Sequence, residues 1–300
     1  MPVCRRPFAE IAKKLNSGER EVLKQAKVLR NNRTIRCLRA IVNYNALGFT
    51  STLAAAHIEQ EILKEVADTV NSLKGVSHNY LRGHFYNLWF TLRAKSEREI
   101  ENILRDLSGR FGAEFYSLPV ERSFKLDVCF DARSGGKSLL KSKERKIAAK
   151  KTRLNQIERK ILEGLECRIE ITEEPFDFLC SGKLNIDDVL RIIRRLIDKG
   201  AIRRIAATVD YKRLGFGANL LFACKVGPRR IIRVGKALAK LPIVSHCYQR
   251  KPSAGFEYNL FAMMHSKSKG VLQSEIKKFL KKFSVEDFIF LETVKQLKSG

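Results

Sequence analysis

Apolar residues recur at helical spacing in the second half of the chain: Ile157, Ile161, Leu162 and Leu165, then Phe176, Leu179 and Leu184, then Val189, Ile192, Ile193, Leu196 and Ile197. Three short helices follow from this pattern, the third closed by Gly200 as a C-cap. Past it, Ile202 to Tyr211 predicts a pair of strands forming a wing. Strand and helix periods then alternate over Ala218 to Val226, Arg229 to Lys240, Ile243 to Gln249, Tyr258 to His265, Lys269 to Phe283 and Asp287 to Leu291. The first half repeats the same six-element order over Ser51 to Ile58, Glu61 to Leu73, Val76 to Arg82, Tyr86 to Ala94, Glu97 to Phe111 and Glu114 to Leu118.

Three helices and a wing make a winged helix-turn-helix outline, and the order βαββαβ is the ferredoxin-like layout. The predicted class is α+β, a tandem repeat of winged helix-turn-helix plus ferredoxin-like domain, with the two sheets packing as a pseudo-dimer. Expected boundaries are a truncated winged unit over 1–50, a ferredoxin-like domain over 51–131, a linker over 132–153, a winged unit over 154–217 and a second ferredoxin-like domain over 218–300. The first winged unit is truncated because the helix at Leu154 to Leu165 has no counterpart ahead of the helix that carries Ile11.

The repeat is also literal. Val76-Ser77-His78-Asn79-Tyr80-Leu81-Arg82 returns as Val244-Ser245-His246-Cys247-Tyr248-Gln249-Arg250, and Tyr86-Asn87-Leu88 returns as Tyr258-Asn259-Leu260. Ile35-Arg36, Tyr44 and Leu47-Gly48-Phe49 recur 167 positions later as Ile202-Arg203, Tyr211 and Leu214-Gly215-Phe216. A period this long means duplication of a domain-sized unit, not a solenoid of short repeats. One spacing differs: seven residues, Lys251 to Glu257, separate Arg250 from Tyr258, against three between Arg82 and Tyr86. That difference allows one active pocket and one degenerate one.

Length and composition add little to the fold but limit the function. Three hundred residues suit about two domain-sized units. The seven cysteines contain no C-x-x-C pair, so neither a zinc site nor a redox motif is expected, and a reducing cytoplasm fits. No apolar stretch reaches the ~20 residues that span a bilayer, so no membrane partner is expected. The net charge of +26 favours polyanions of any kind, and +8 of it lies in residues 132–153, which read as a solvated tether.

In a strand, residues two apart share a face at roughly 6.6 to 6.8 Å. His78, Tyr80 and Arg82 therefore form one row and His246, Tyr248 and Arg250 another. Each sheet has one face covered by its two helices, which leaves the other free to pack on a second sheet or enclose a ligand. Duplication copies packing residues as readily as functional ones, so spacing alone does not decide between them. Taken singly, His57, His84 and His265 read as structural residues. Trp89, Phe90, Phe261, Met263 and Met264 read as sheet packing and at most secondary walls. An imidazole, a phenol and a guanidinium in one row suit a planar, anionic ligand.

These stretches resemble the siroheme decarboxylases of the Lrp/AsnC type, which act in alternative haem formation and in haem d1 formation. The second half is similar to one subunit type through Ile202-Arg203-Arg204-Ile205, Leu214-Gly215-Phe216, the His246 motif and Tyr258-Asn259-Leu260-Phe261. The first half is similar to its partner through Arg6-Pro7-Phe8-Ala9-Glu10-Ile11-Ala12, the His78 motif, Tyr86 to Leu92, and Leu118-Pro119 followed by Phe124-Lys125-Leu126. The resemblance implies loss of carbon dioxide from two acetate side chains of siroheme, by a chain that fuses both subunit types into an internal pseudo-heterodimer. It implies catalytic roles for His246 and His78, as proton donors near neutral pH, and for Tyr248 and Tyr80, as orienting groups. Arg250 and Arg82 are implied as substrate-binding clamps for carboxylates. Axial ligation of the substrate iron is an open alternative for either histidine. The chain alone is expected to hold no metal, and no cofactor is expected beyond the iron tetrapyrrole substrate. Two rival classes stand beside this one: a DNA-binding Lrp/AsnC-like transcription regulator and a haem-sensing module without turnover. Nucleic acid is the weaker expectation, because the candidate recognition helix opens on Ile186-Asp187-Asp188, whose carboxylates repel phosphate.

Overall fold

A computed structural model describes residues 1–125, 151–182 and 184–298. Most of the expected basic linker, residues 132–150, lies outside them. In chain order the first half forms α1 (Pro7–Leu15), α2 (Glu19–Asn31), β1 (Ile35–Val42), β2 (Thr50–Ala56), α3 (Leu63–Ser72), β3 (Val76–Arg82), β4 (Leu88–Ala94), α4 (Glu97–Phe111) and β5 (Phe115–Lys125). The second half forms α5 (Gln156–Glu166), α6 (Ile186–Asp198), β6 (Ile202–Val209), β7 (Ala218–Cys224), α7 (Ile231–Lys240), β8 (Val244–Arg250), β9 (Leu260–Ser266), α8 (Lys269–Phe283) and β10 (Phe288–Lys298). Among the described residues no helix is long and apolar enough to cross a membrane.

The described chain divides into two units, a helical one of residues 1–48 with 151–214 and a sheet one of residues 49–125 with 215–298. In the helical unit the pattern at Phe176 to Leu184 gives one 3₁₀ turn, Asp177–Leu179, instead of a helix. Pro175 and the positive φ of Gly182 bracket too few residues to sustain a helical nucleus. Nor is there a wing hairpin within Ile202 to Tyr211. That segment is the single strand β6, and its partner is the duplicate strand β1, antiparallel, with Leu38 opposite Ala207 and Ala40 opposite Ile205. Ile202–Val209 contains no Gly, Asn or Pro with which to turn back on itself. Both halves share one core here, in which Phe8, Leu23 and Leu38 pack with Ile161, Leu165, Ile193 and Leu196. The opening helix missing from the first half thus has a substitute, since α5 packs on β1.

In the sheet unit each half has the order βαββαβ, with its helices on one face. Val66, Val70, Ile100 and Leu104 cover the first half's strands, and Val234, Leu238, Leu272 and Ile276 cover the second's. The last strand of each half runs well beyond its expected end, and the extension changes partner. Phe115 to Pro119 of β5 pairs with β2 in its own half, then Val120 to Lys125 pairs with β8 of the other. In the same way Phe288 to Glu292 of β10 pairs with β7, then Thr293 to Lys298 pairs with β3. The eight strands therefore close as β10-β3-β4-β2-β5-β8-β9-β7, and the two sheets are joined edge to edge instead of only packing as separate sheets. Closure has a physical cause, because β3 and β8 would otherwise be open edges with unpaired backbone groups.

The exchanged segments carry core residues with them. Phe124, on the first half's last strand, is buried in the helix-side core of the second half. It lies where Gly235 of α7 leaves room; a Cβ at 235 would stand 2.3 Å from the ring. Phe124→Ala is expected to lower stability by about 3 to 5 kcal/mol, as deletion of a buried ring does. A urea unfolding curve measures this, and an unchanged midpoint would show that the exchanged strand does not hold the halves together.

Candidate active site

Regular alternation along β3 and β8 would not build the site. Val76 and Val244 face the helices, packed with Val70 and Val234 respectively. A residue two further along an unbroken strand would face the same way. Both strands instead carry a bulge: Val76 pairs with Leu92 and His78 with Thr91, so that Ser77 is extra, and Val244 pairs with Met264 and His246 with Met263, so that Ser245 is extra. A bulge inserts one unpaired residue and re-aims the side chains beyond it. Past the bulge Asn79 and Cys247 lie toward the helices, with Asn79 bonded to Asn71 of α3 and Cys247 in the core against α7. The histidines, tyrosines and arginines take the inner face of the barrel.

Each row is a stack. His78 and Tyr80 have ring centroids 6.3 Å apart and nearly parallel, and the Arg82 guanidinium lies 5.2 Å from the Tyr80 ring centre. The second half matches it, with 6.1 Å between His246 and Tyr248 and 5.3 Å between Arg250 and the Tyr248 ring. The arginines also tie the seams. Arg82 donates to the Leu291 carbonyl at 2.9 Å and Arg250 to the Leu118 carbonyl at 2.7 Å, where β10 and β5 pass from one half to the other.

One cavity of about 180 Å³ opens on the inner face. Its walls come in equivalent pairs from the two halves: Leu53 and Leu221, Tyr80 and Tyr248, Arg82 and Arg250, Trp89 and Phe261, Thr91 and Met263. His246 lines it as well, whereas His78 does not. Five of the six expected side chains are thus brought together in one shared cavity. The aromatic residues read as packing form its walls. The longer connection at Lys251 to Glu257 folds as a tight turn about Ser253 and Phe256 and buries Phe256 in the inner core against Trp89, Tyr86 and Phe261.

Arg250 is the electrostatic centre. It is 9% exposed, its Nε has no hydrogen-bond partner, and it forms no ion pair among the described residues. Burial pulls its pKa down to about 10, so it remains a cation at neutral pH. A buried cation without a carboxylate is costly, and an anion entering the cavity offsets that cost. His57 and His84 are structural: His57 stacks on Phe85, and His84 accepts the Tyr86 N–H. His265 belongs to the site's surroundings. Burial, and secondarily the neighbouring His246, push its pKa down to about 4. Its place in the sequence gives no sign of this, because it falls outside the duplicated motif.

Residues 46–125 and 213–298 match the AsnC-like ligand binding domain, and residues 1–36 match the siroheme decarboxylase NirDL-like HTH domain. A siroheme decarboxylase of Hydrogenobacter thermophilus is 34% identical over 280 residues, 92% of this chain and 82% of that protein. The chain belongs to the siroheme decarboxylase family. A NirDL subunit of the siroheme decarboxylase of Paracoccus denitrificans is 28% identical over 270 residues, 89% of this chain and 82% of that one. The crystal structure of the siroheme decarboxylase NirDL superposes with a TM-score of 0.74 at 29% identity, covering 99% of this chain and 88% of that one. A second structure of NirDL, in complex with an iron-uroporphyrin III analogue, gives a TM-score of 0.73. Like this siroheme decarboxylase chain, these relatives are matched through both halves.

The depressed pKa of His265 has a sign that can be checked. Between its folded value of about 4 and the unfolded value near 6.5, the unfolded chain binds the extra proton. Stability therefore rises with pH across that window and is lost as pH falls through it. The urea midpoint of the wild type should drop between pH 7 and pH 5, and His265→Met should drop less. An equal drop in both would remove His265 as the cause.

Proposed function

We propose that this chain removes carbon dioxide from the C12 and C18 acetate side chains of siroheme, giving 12,18-didecarboxysiroheme. The single observation that carries this reading is the buried Arg250 cation in the same cavity as His246, lined by both halves. Support also comes from the match over nearly the whole chain to a solved siroheme decarboxylase, one structure of which contains an iron-uroporphyrin III analogue.

The residues suit the chemistry. When an acetate carboxylate leaves as carbon dioxide, the bonding electrons pass into the macrocycle, and a proton must then reach the carbon that becomes the methyl group. His246 delivers that proton. Arg250 and Arg82 hold substrate carboxylates, and Tyr248 and Tyr80 orient the ring they stack beside. His78 lies outside the cavity lining and is the second candidate, as donor or as ligand of the substrate iron. Ligand pockets usually measure about 300 to 1,000 Å³, so a cavity of about 180 Å³ takes an acetate arm and the adjoining pyrrole edge, with the rest of the macrocycle outside. No cofactor beyond the iron tetrapyrrole is needed, because the macrocycle is its own electron sink. The DNA-reading alternative gains nothing at α6, which opens on Asp187 and Asp188, the second paired with Arg191.

Anaerobic incubation with siroheme, followed by mass spectrometry, should show two successive losses of carbon dioxide. Siroheme that binds but stays unchanged would overturn the activity. His246→Ala should lower kcat by at least about 10²-fold, the lower end of what a positioned proton donor contributes. Arg250→Ala should weaken siroheme binding at least about tenfold, or roughly 1.4 kcal/mol, measured by absorbance titration. Unaltered affinity would reject the clamp.

A further inference from the structure

The serine that forms each bulge also touches the histidine after it. Ser77 Oγ lies 3.0 Å from His78 Nδ1, and Ser245 Oγ lies 3.1 Å from His246 Nδ1. The two contacts are wired differently. A serine hydroxyl has one hydrogen to give. Ser245 gives it to the Met263 backbone carbonyl at 3.0 Å, an atom that can only accept. Its contact with His246 must then run the other way, with Nδ1–H donating to Oγ. In the first half a hydroxyl stands in the equivalent place: Ser77 Oγ lies 2.8 Å from Thr91 Oγ1, and either oxygen can donate. Ser77 can therefore accept from His78 or donate to it, so this contact by itself does not set the tautomer of the ring.

We propose that Ser245 is a positioning residue that fixes His246 as the Nδ1–H tautomer, which makes Nε2 the atom through which His246 acts on the substrate. This rests on the reading of His246 as the working imidazole. As proton donor, the imidazolium gives up its Nε2 proton to the carbon that lost carbon dioxide. The electron pair left on the macrocycle forms the new C–H bond, and the ring returns to the neutral form that Ser245 holds. As iron ligand, the same tautomer offers the Nε2 lone pair. Either way the working nitrogen is the same, and the serine contact assigns it in the second half. The site is asymmetric in the same sense, since His246 lines the cavity and His78 does not. The titratable groups around His246 are Tyr248 and Arg250 on its own strand, His265 on β9, and Tyr80 and Arg82 across the cavity. The group in contact with Nδ1 is the Ser245 hydroxyl.

Nitrogen-15 NMR of histidine-labelled protein, without substrate, reads the tautomer directly. The neutral His246 ring should carry its proton on Nδ1 in the wild type and shift toward Nε2–H in Ser245→Ala. Ser245→Ala should lose about tenfold in kcat with KM within about twofold. The alkaline limb of its pH–rate profile should move to lower pH, because the imidazolium loses its Nδ1–H acceptor. Ser245→Thr keeps the hydroxyl and should restore tautomer and limb together. A wild-type ring protonated on Nε2 overturns the proposal, and it needs no variant that folds. So does a Ser245→Ala protein with unchanged kcat and unchanged limb while His246→Ala is inactive. Normal turnover in His246→Ala would instead reject the catalytic reading of His246, and the wild-type tautomer would still decide the Ser245 contact by itself.

Discussion

The exchange of last strands is the constraint on which the rest of the site depends. Each motif strand lies at the edge of its own half's sheet, and the outer side of its backbone is paired by the final strand of the other half. The rows of His, Tyr and Arg are therefore held at the seams, not within either half. Each arginine strengthens this: one guanidinium nitrogen binds the carbonyl at the hand-over point, Leu291 or Leu118, so the cation is placed by the same junction that closes the barrel. A guanidinium has five N–H donors in a fixed fork, so bonding one of them to the seam still leaves others to meet a carboxylate. The structural and the substrate-binding readings of Arg250 are thus not alternatives. Fixing the fork in advance reduces the ordering that ligand capture would otherwise require.

Much of this was visible in the amino-acid pattern, for particular reasons. The strand β3 and the helices α4 and α8 begin and end where periodicity places them, and β8 lies one residue further on, because one face of each is apolar and shows its period. The rows of three were visible because they lie on one side of the bulge. The bulge itself was not, since an inserted residue leaves no gap in an otherwise regular strand and its only trace is a valine and a histidine two apart on opposite faces. The extensions of β5 and β10 were missed because Val120-Glu121-Arg122 and Thr293-Val294-Lys295 carry charges and read as strand ends; an exchanged segment pairs through its backbone, which composition does not report. The wing failed for the same reason. A strand shows in the sequence, but the strand it pairs with does not, and β6 chose its own duplicate across the chain.

The pairing of duplicates explains why a truncated first half is tolerated. In the helical unit a single two-stranded sheet and one hydrophobic core serve both copies, so α5 is needed once and not twice. A fused chain can lose one copy of an element when the remaining copy covers the shared surface. The same logic does not apply to the cavity, where the two copies face each other and both remain.

At the inner face the halves keep some positions and change others. The pairs Leu53 and Leu221, Tyr80 and Tyr248, and Arg82 and Arg250 keep the same residue type, whereas Thr91 stands opposite Met263, and Arg93 stands where the second half has His265. The longer connection adds Phe256 to the inner core of one side only. A cavity on a pseudo-two-fold axis with identical walls would hold a ligand equally well in two orientations. Changing a threonine to a methionine removes the hydroxyl that meets the bulge serine in the first half, and burying His265 beside His246 places a second imidazole on that side. The shared arginines supply attraction for carboxylates without direction. On the proposed reading the unshared residues supply the direction around His246, so the proposed chemistry falls to the second half's row even though both halves line the cavity.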